Sequence, residues 1–308
     1  MISFRYREKD TPIHHLNPLC KIAWVSAIFI LALIFDHPVY LLSLFLSTVP
    51  IVIYGRIRKE WTSLMKFSLY LCLTIIVVNT LVNNNGVHVL WRPPFRIPLL
   101  GNPAITLEAI FFGAGMSLRL VAILSAFAVL TLTVHPDDLM LAMIKMKLPY
   151  KSVLVTSLAT RFVPLLTQDA ERITDVQKSR GLDFEYGSLI QRTGNRMAVL
   201  IPLLSNSLDR AVQVAEAMES RAFGSGEKRS SYKELRLSKL DILMLMVSFL
   251  TVVLGIFMRL RGMGDYEYFP ALVEMSFSGA ELFMLFWLVF LLFLTLPVAW
   301  LKKRLELD

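Results

Sequence analysis

Two arginines share the same surroundings. Ser179-Arg180-Gly181 and Ser220-Arg221-Ala222 each close a run of helix-forming sequence. Each run also opens on the same pattern, since Pro164-Leu165-Leu166-Thr167-Gln168-Asp169-Ala170-Glu171-Arg172 aligns without a gap to Pro202-Leu203-Leu204-Ser205-Asn206-Ser207-Leu208-Asp209-Arg210. The second run is three residues longer, close to one helical turn, so both arginines keep nearly the same facing relative to their prolines. A guanidinium held at a helix end is a rigid, permanently charged fork suited to a carboxylate or carbonyl on a partner. The chemistry this offers is docking rather than catalysis. For one arginine alone, the favourable field of a helix C-terminus is reason enough, worth a few tenths to about 1 kcal/mol. Two copies of the same ending point to use by a partner.

Both runs read as amphipathic helices. Phe162, Leu166, Ala170, Ile173 and Val176 fall on one apolar stripe, and Leu204, Leu208, Ala211, Ala215 and Met218 on another. Gly181 closes the first directly and Gly224 follows the second, as C-terminal caps do.

Other chemistries find little support. Cys20 and Cys72 lie at the edge of one apolar run and inside another, which gives no disulfide framework and no cysteine metal site. His14-His15 lacks a third ligand at useful spacing. Gly224-Ser225-Gly226-Glu227-Lys228-Arg229-Ser230 lacks the Gly-Lys-Ser run of a phosphate loop and follows no predicted strand. Neither a His-Glu-x-x-His site nor a Gly-x-Ser-x-Gly elbow occurs. Docking helices without an energy source of their own imply a borrowed one.

The elements that carry these residues are set by composition. Of 308 residues 55% are hydrophobic and mean hydropathy is +0.58, above the roughly 45–50% of soluble domains. An all-α, polytopic membrane protein is expected. Ile22 to Tyr54 is too long for one span and predicts a hairpin turning at Asp36-His37-Pro38. After a basic loop (Arg56, Arg58, Lys59, Lys66) come spans at Phe67–Leu81 and Ala109–Val134, separated by a segment rich in Pro, Gly and Trp that reads as irregular. Arg119 lies inside the fourth span, where a charge implies function, an interhelical contact or snorkelling. His135 to Lys239 holds half of the charged residues in about a third of the length. In it, a helix is predicted from Pro136 to Leu148, an interfacial stretch from Lys151 to Val163, then the arginine-ended helices and a charged linker, Ser225 to Ser238. Ile242–Phe257 and Leu282–Leu301 are the fifth and sixth spans, and Lys302-Lys303-Arg304 is a positive stop.

The expected division is 1–134 (about four spans), 135–240 (cytoplasmic coupling region) and 241–308 (about two spans). Six spans with both termini inside place 27 of the 32 Lys and Arg residues on the cytoplasmic side. Net charge of +8 is therefore a matter of topology, not of nucleic-acid binding. The N-terminus, with Arg5, Arg7 and Lys9, lacks the apolar core of a cleaved signal peptide.

These residues also resemble a family. His15-Leu16-Asn17-Pro18-Leu19-Cys20-Lys21, Thr133-Val134-His135-Pro136, Arg161-Phe162-Val163-Pro164 and the paired arginine endings are similar to motifs of the transmembrane (T) subunits of energy-coupling factor transporters. These are vitamin and metal-ion importers that use ATP-binding-cassette ATPases. The family's ending is typically Ala-Arg-Gly, twice; here Ser179 and Ser220 replace alanine and Ala222 replaces the second glycine. The resemblance implies coupling helices whose Arg180 and Arg221 seat in two ATPase subunits, and a small substrate-binding membrane subunit sliding on the apolar stripes. It also implies a non-catalytic chain in the cell membrane, with no cofactor of its own and ATP bound by its partners. A membrane enzyme acting on lipids or lipid-linked substrates is the alternative, with Asp169, Glu171, Asp175, Asp183 and Glu185 as its acidic candidates. A self-sufficient secondary carrier, with Arg119 as its midplane charge, is a third reading.

Overall fold

The computed structural model describes residues 9–83, 86–91, 104–184, 186, 188–225, 237–272 and 277–307. Arg5 and Arg7, the proline-rich stretch 92–103, Glu185, most of the charged linker and the phosphate-loop look-alike from Gly226 on lie outside them. The chain forms two units, one of residues 1–139 with 236–308 and the other of residues 140–235.

In the first unit, α1 (Pro18–Ile34) and α2 (Pro38–Tyr54) are the expected hairpin. Each starts with proline at its first position, where no donor is lost. Asn17 Oδ1 accepts from Leu19 N at 3.1 Å, and His37 Nδ1 accepts from Val39 N at 3.2 Å. α3 (Arg58–Val82) is longer than its apolar run. Arg58, Lys59 and Lys66, read as loop from sequence, are helical, because straight-chain residues are good helix formers and Glu60 suits the first turn. α4 (Leu107–Thr133) packs along α3 so closely that a Cβ on Gly113 would lie 2.9 Å from Ile76 Cα.

Two short strands, β1 (Val89–Trp91) and β2 (Ile105–Thr106), pair antiparallel where the sequence suggested irregular chain. Burying Glu108 organises them: its carboxylate accepts from His88 N at 3.0 Å and from His88 Nδ1 at 2.7 Å. α8 (Lys239–Leu260), α9 (Gly279–Phe293) and α10 (Thr295–Leu307) complete the unit. Ser238 and Asp241 form a capping box at the start of α8. The predicted sixth span is broken at Leu294, because Pro297 has no N–H and its ring crowds the carbonyl four residues back.

The core runs along α1, with Trp24, Ile28, Leu31 and Phe35 packed among Leu44 of α2, Ala122 and Ala126 of α4, Met258 of α8 and Leu288 of α9. Among the described residues four helical stretches are long and apolar enough to cross a bilayer, with α1 and α2 as shorter apolar helices. The fold is thus all-α and polytopic.

Arg119 is an interhelical contact. Its Nη2 lies 2.5 Å from Asp36 Oδ1 and 2.9 Å from Phe35 O, and Arg259 of α8 reaches the other oxygen of Asp36 at 3.3 Å. Tyr268 donates to Asp36 O at 3.0 Å, its hydroxyl lying in the notch left by Gly115. One turn residue therefore ties α4 and α8 to the α1–α2 hairpin.

α5 (Pro136–Lys145) follows α4 and stops three residues short of Leu148. In the second unit, α6 (Tyr150–Ser179) and α7 (Leu189–Ser220) run antiparallel. Both continue through the prolines that the repeat made their starts. Lys151 to Val163 is the first part of α6, not a separate interfacial stretch. α7 begins at a capping box, Ser188 with Gln191. Pro164 and Pro202 are tolerated inside because these helices are long enough to absorb one missing hydrogen bond each.

Candidate coupling site

The two arginine endings have one geometry. Arg180 is the C-cap of α6 (φ −86°, ψ 5°) and Arg221 the C-cap of α7 (φ −91°, ψ 14°). The next residue is left-handed in both, Gly181 at φ 85° and Ala222 at φ 55°. In the first ending Gly181 N donates to Lys178 O at 2.9 Å and Leu182 N to Gln177 O at 3.1 Å. In the second, Ala222 N donates to Glu219 O at 2.8 Å and Phe223 N to Met218 O at 3.0 Å. These are the two hydrogen bonds of a Schellman motif. Alanine thus takes the conformation glycine takes in the first copy, at a steric cost of about 1–2 kcal/mol.

The same ending closes α2 at Arg56 (φ 55°), α5 at Lys147 (φ 63°) and α8 at Gly262 (φ 77°). A Schellman stop is therefore a general device of this chain, and it does not by itself mark a docking arginine. At α8 the comparable Arg261 lies over its own Phe257 ring at 5.1 Å. What sets Arg180 and Arg221 apart is the repeat; both are exposed, together with Ser179, Gly181, Ser220 and Ala222, but so are Arg56, Lys147 and Arg261.

Between the endings, Asp169 Oδ2 accepts from Arg210 Nη2 at 2.9 Å and Gln177 Nε2 donates to Ala198 O at 3.3 Å. Tyr150 and Phe223 face each other with ring centroids 6.4 Å apart. Sequence reasoning missed these contacts. Asp169 and Arg210 both belong to the repeat but stand opposite Ser207 and Arg172 in the alignment, so nothing in it pairs them. Asp169 spends its carboxylate on that bond instead of joining an acidic cluster.

The predicted stripes are divided. Phe162, Leu166, Ala170, Ile173 and Met218 are half-buried, while Val176 (50%), Leu204 (60%), Leu208 (65%) and Ala215 are exposed. α7 instead turns Val199, Leu203, Ser207, Arg210 and Val214 inward, leaving an open apolar face.

In the transmembrane unit two further sequence motifs come together. Lys21, 7% exposed, donates to Thr133 O at 2.8 Å and to His14 O at 3.2 Å. Its ammonium meets the C-terminus of α4, where a helix favours a cation. His135 Nδ1 then accepts from Asp137 N at 3.1 Å at the start of α5. Outside the spans, burial with Lys21 and Lys9 close by pushes the His14 imidazole down to about 4. Among the described residues no three His, Cys, Asp or Glu side chains gather as metal ligands.

The family model described as cobalt transport protein CbiQ matches residues 9–232, from the segment before α1 to beyond α7. The chain belongs to the CbiQ family. It is a transmembrane subunit of an energy-coupling factor transporter, and a multi-pass protein of the cell membrane. The energy-coupling factor transporter transmembrane protein of Heliobacterium modesticaldum is 34% identical over 249 residues, 77% of this chain and 89% of its own. That of Acidaminococcus fermentans is 30% identical over 266 residues, 83% and 95% of the two chains. That of Streptococcus thermophilus is 31% identical over 244 residues, 76% and 89%.

Proposed function

We propose that this CbiQ-family chain couples ATP hydrolysis by two ATP-binding-cassette ATPase subunits to movement of a small substrate-binding membrane subunit, for uptake of a vitamin or transition-metal ion. The observation that carries this reading is the repeat, which sets an exposed arginine, Arg180 and Arg221, in the same cap position at the ends of two antiparallel helices. Each presents an exposed guanidinium on a rigid cap, suited to a groove with carboxylates or carbonyls. Ser179, Gly181, Ser220 and Ala222 keep the approach narrow. The exposed face of α7, with Leu204, Leu208 and Ala215, offers the substrate-binding subunit an apolar track. ATPase closure would move the hairpin and so bias the orientation of that subunit. Both termini and the hairpin are cytoplasmic in this reading, ATP is bound by the partners, and this chain catalyses nothing.

The test is the double charge reversal Arg180→Glu with Arg221→Glu, followed by membrane fractionation, co-purification of the ATPases and uptake. Insertion is expected to be normal, ATPase recovery and ATP-dependent uptake lost. Normal uptake by that variant would sink the coupling assignment.

A further inference from the structure

We propose that the transmembrane unit carries a seat for an anionic glycerophospholipid, at the groove between the end of α2 and the start of α10. Ile13, Tyr54, Leu296, Pro297, Ala299 and Trp300 line it, and it encloses about 410 Å³. Every side chain on its wall is apolar or aromatic, so an acyl chain fits and a polar metabolite does not. Tyr54 (60% exposed) and Trp300 (56%) are amphipathic rings of the kind that sit at the level of lipid headgroups.

The charge beside the groove selects the headgroup. The Arg304 guanidinium lies 5.5 Å from the centroid of the Trp300 ring, one helical turn along α10. Arg56 follows Tyr54 by two residues, in the left-handed position that ends α2. Both arginines are exposed, and neither pairs with a carboxylate among the described residues. Their neighbours are already used: Lys9 pairs with Glu60 at 3.3 Å and Lys303 with Asp10 at 2.7 Å. Two arginines close in the chain to groove residues, neither paired with a carboxylate among the described residues, suit a phosphate attached to an acyl chain. Inorganic phosphate would use the arginines alone, and a zwitterionic lipid would gain little from them.

The experiment uses the purified full chain in vesicles of equal phosphatidylglycerol and phosphatidylcholine. After extraction in mild detergent, the lipid retained is measured by mass spectrometry, with and without excess inorganic phosphate. Wild type is expected to retain phosphatidylglycerol over phosphatidylcholine and to hold it against phosphate. Arg56→Gln and Arg304→Gln are each expected to lower that preference about five-fold, the equivalent of about 1 kcal/mol per basic residue. Arg56→Lys with Arg304→Lys should keep most of it, which separates loss of charge from loss of fold. Equal retention of the two lipids by wild type, an unchanged preference in the glutamine variants, or displacement by phosphate would each overturn the proposal.

Discussion

Asp169 of α6 and Arg210 of α7 meet at 2.9 Å, and the docking arginines stand eleven residues beyond them, Arg180 past Asp169 and Arg221 past Arg210. Because the helices are antiparallel, these intervals point in opposite directions. At 1.5 Å per residue the backbones of the two arginines are set about 33 Å apart along the hairpin. The ion pair is thus the midpoint of a bar with an arginine at each end.

Spin labels at Ser179 and Ser220 should give a distance distribution centred near that span, and a centre below about 20 Å contradicts the antiparallel hairpin. Asp169→Asn or Arg210→Gln should each broaden it. The pair is partly exposed, so a double-mutant cycle should return about 0.5–1 kcal/mol.

Ala222 sits in a conformation that glycine adopts without strain. Ala222→Gly is expected to stabilise the end of α7 by about 1–2 kcal/mol, read as slower hydrogen exchange at residue 222 and Phe223. The reverse change, Gly181→Ala, should cost a similar amount. No atom lies within 4 Å of a Cβ placed on Gly181, so the cost is conformational alone. A loss well above 2 kcal/mol would mean the site is crowded.

Lys21→Met keeps most of the volume of the side chain and removes its donors. Thr133 O then loses its buried hydrogen bond from Lys21, at about 1–3 kcal/mol. Thermal unfolding in detergent should move down accordingly, and an unchanged midpoint would show that the lysine is dispensable to the fold.

His14 makes the transmembrane unit acid-sensitive. With its folded value near 4 against an ordinary 6.5, the unfolded chain binds more protons between those limits. Stability therefore falls as pH drops from about 6.5 toward 4 and levels off below. His14→Gln should flatten this limb of the stability–pH curve; the same slope in that variant would assign it to another group.

The helices built around single local signals are legible in the sequence. Pro38 at the first position of α2 fixed the hairpin turn, and glycine or a small residue after each arginine fixed the endings. Local signals failed where two of them competed. Pro164 and Pro202 looked like helix starts, yet Ser188 and Gln191 formed the true start of α7, a capping box visible in the sequence and outweighed by the repeat. The Lys21 partner was not legible at all, since it is a backbone carbonyl 112 residues away and carries no side-chain signature. The stripes marked apolar residues at helical spacing but carried no sign of which neighbour each one meets. Leu204 and Leu208 stay exposed because α6 contacts the adjoining face of α7.

Lys302 reads in sequence as part of a basic stop, but its ammonium lies 2.9 Å and 3.1 Å from the two oxygens of Asp241, a residue with no exposed surface. Translation makes the acid 61 residues before the base. While the intervening helices emerge, α8 carries a carboxylate held only by the cap at Ser238 and by contact with Cys20. The pairing of α8 with α10 is consequently a late event, since the cation that neutralises Asp241 is among the last residues to be made.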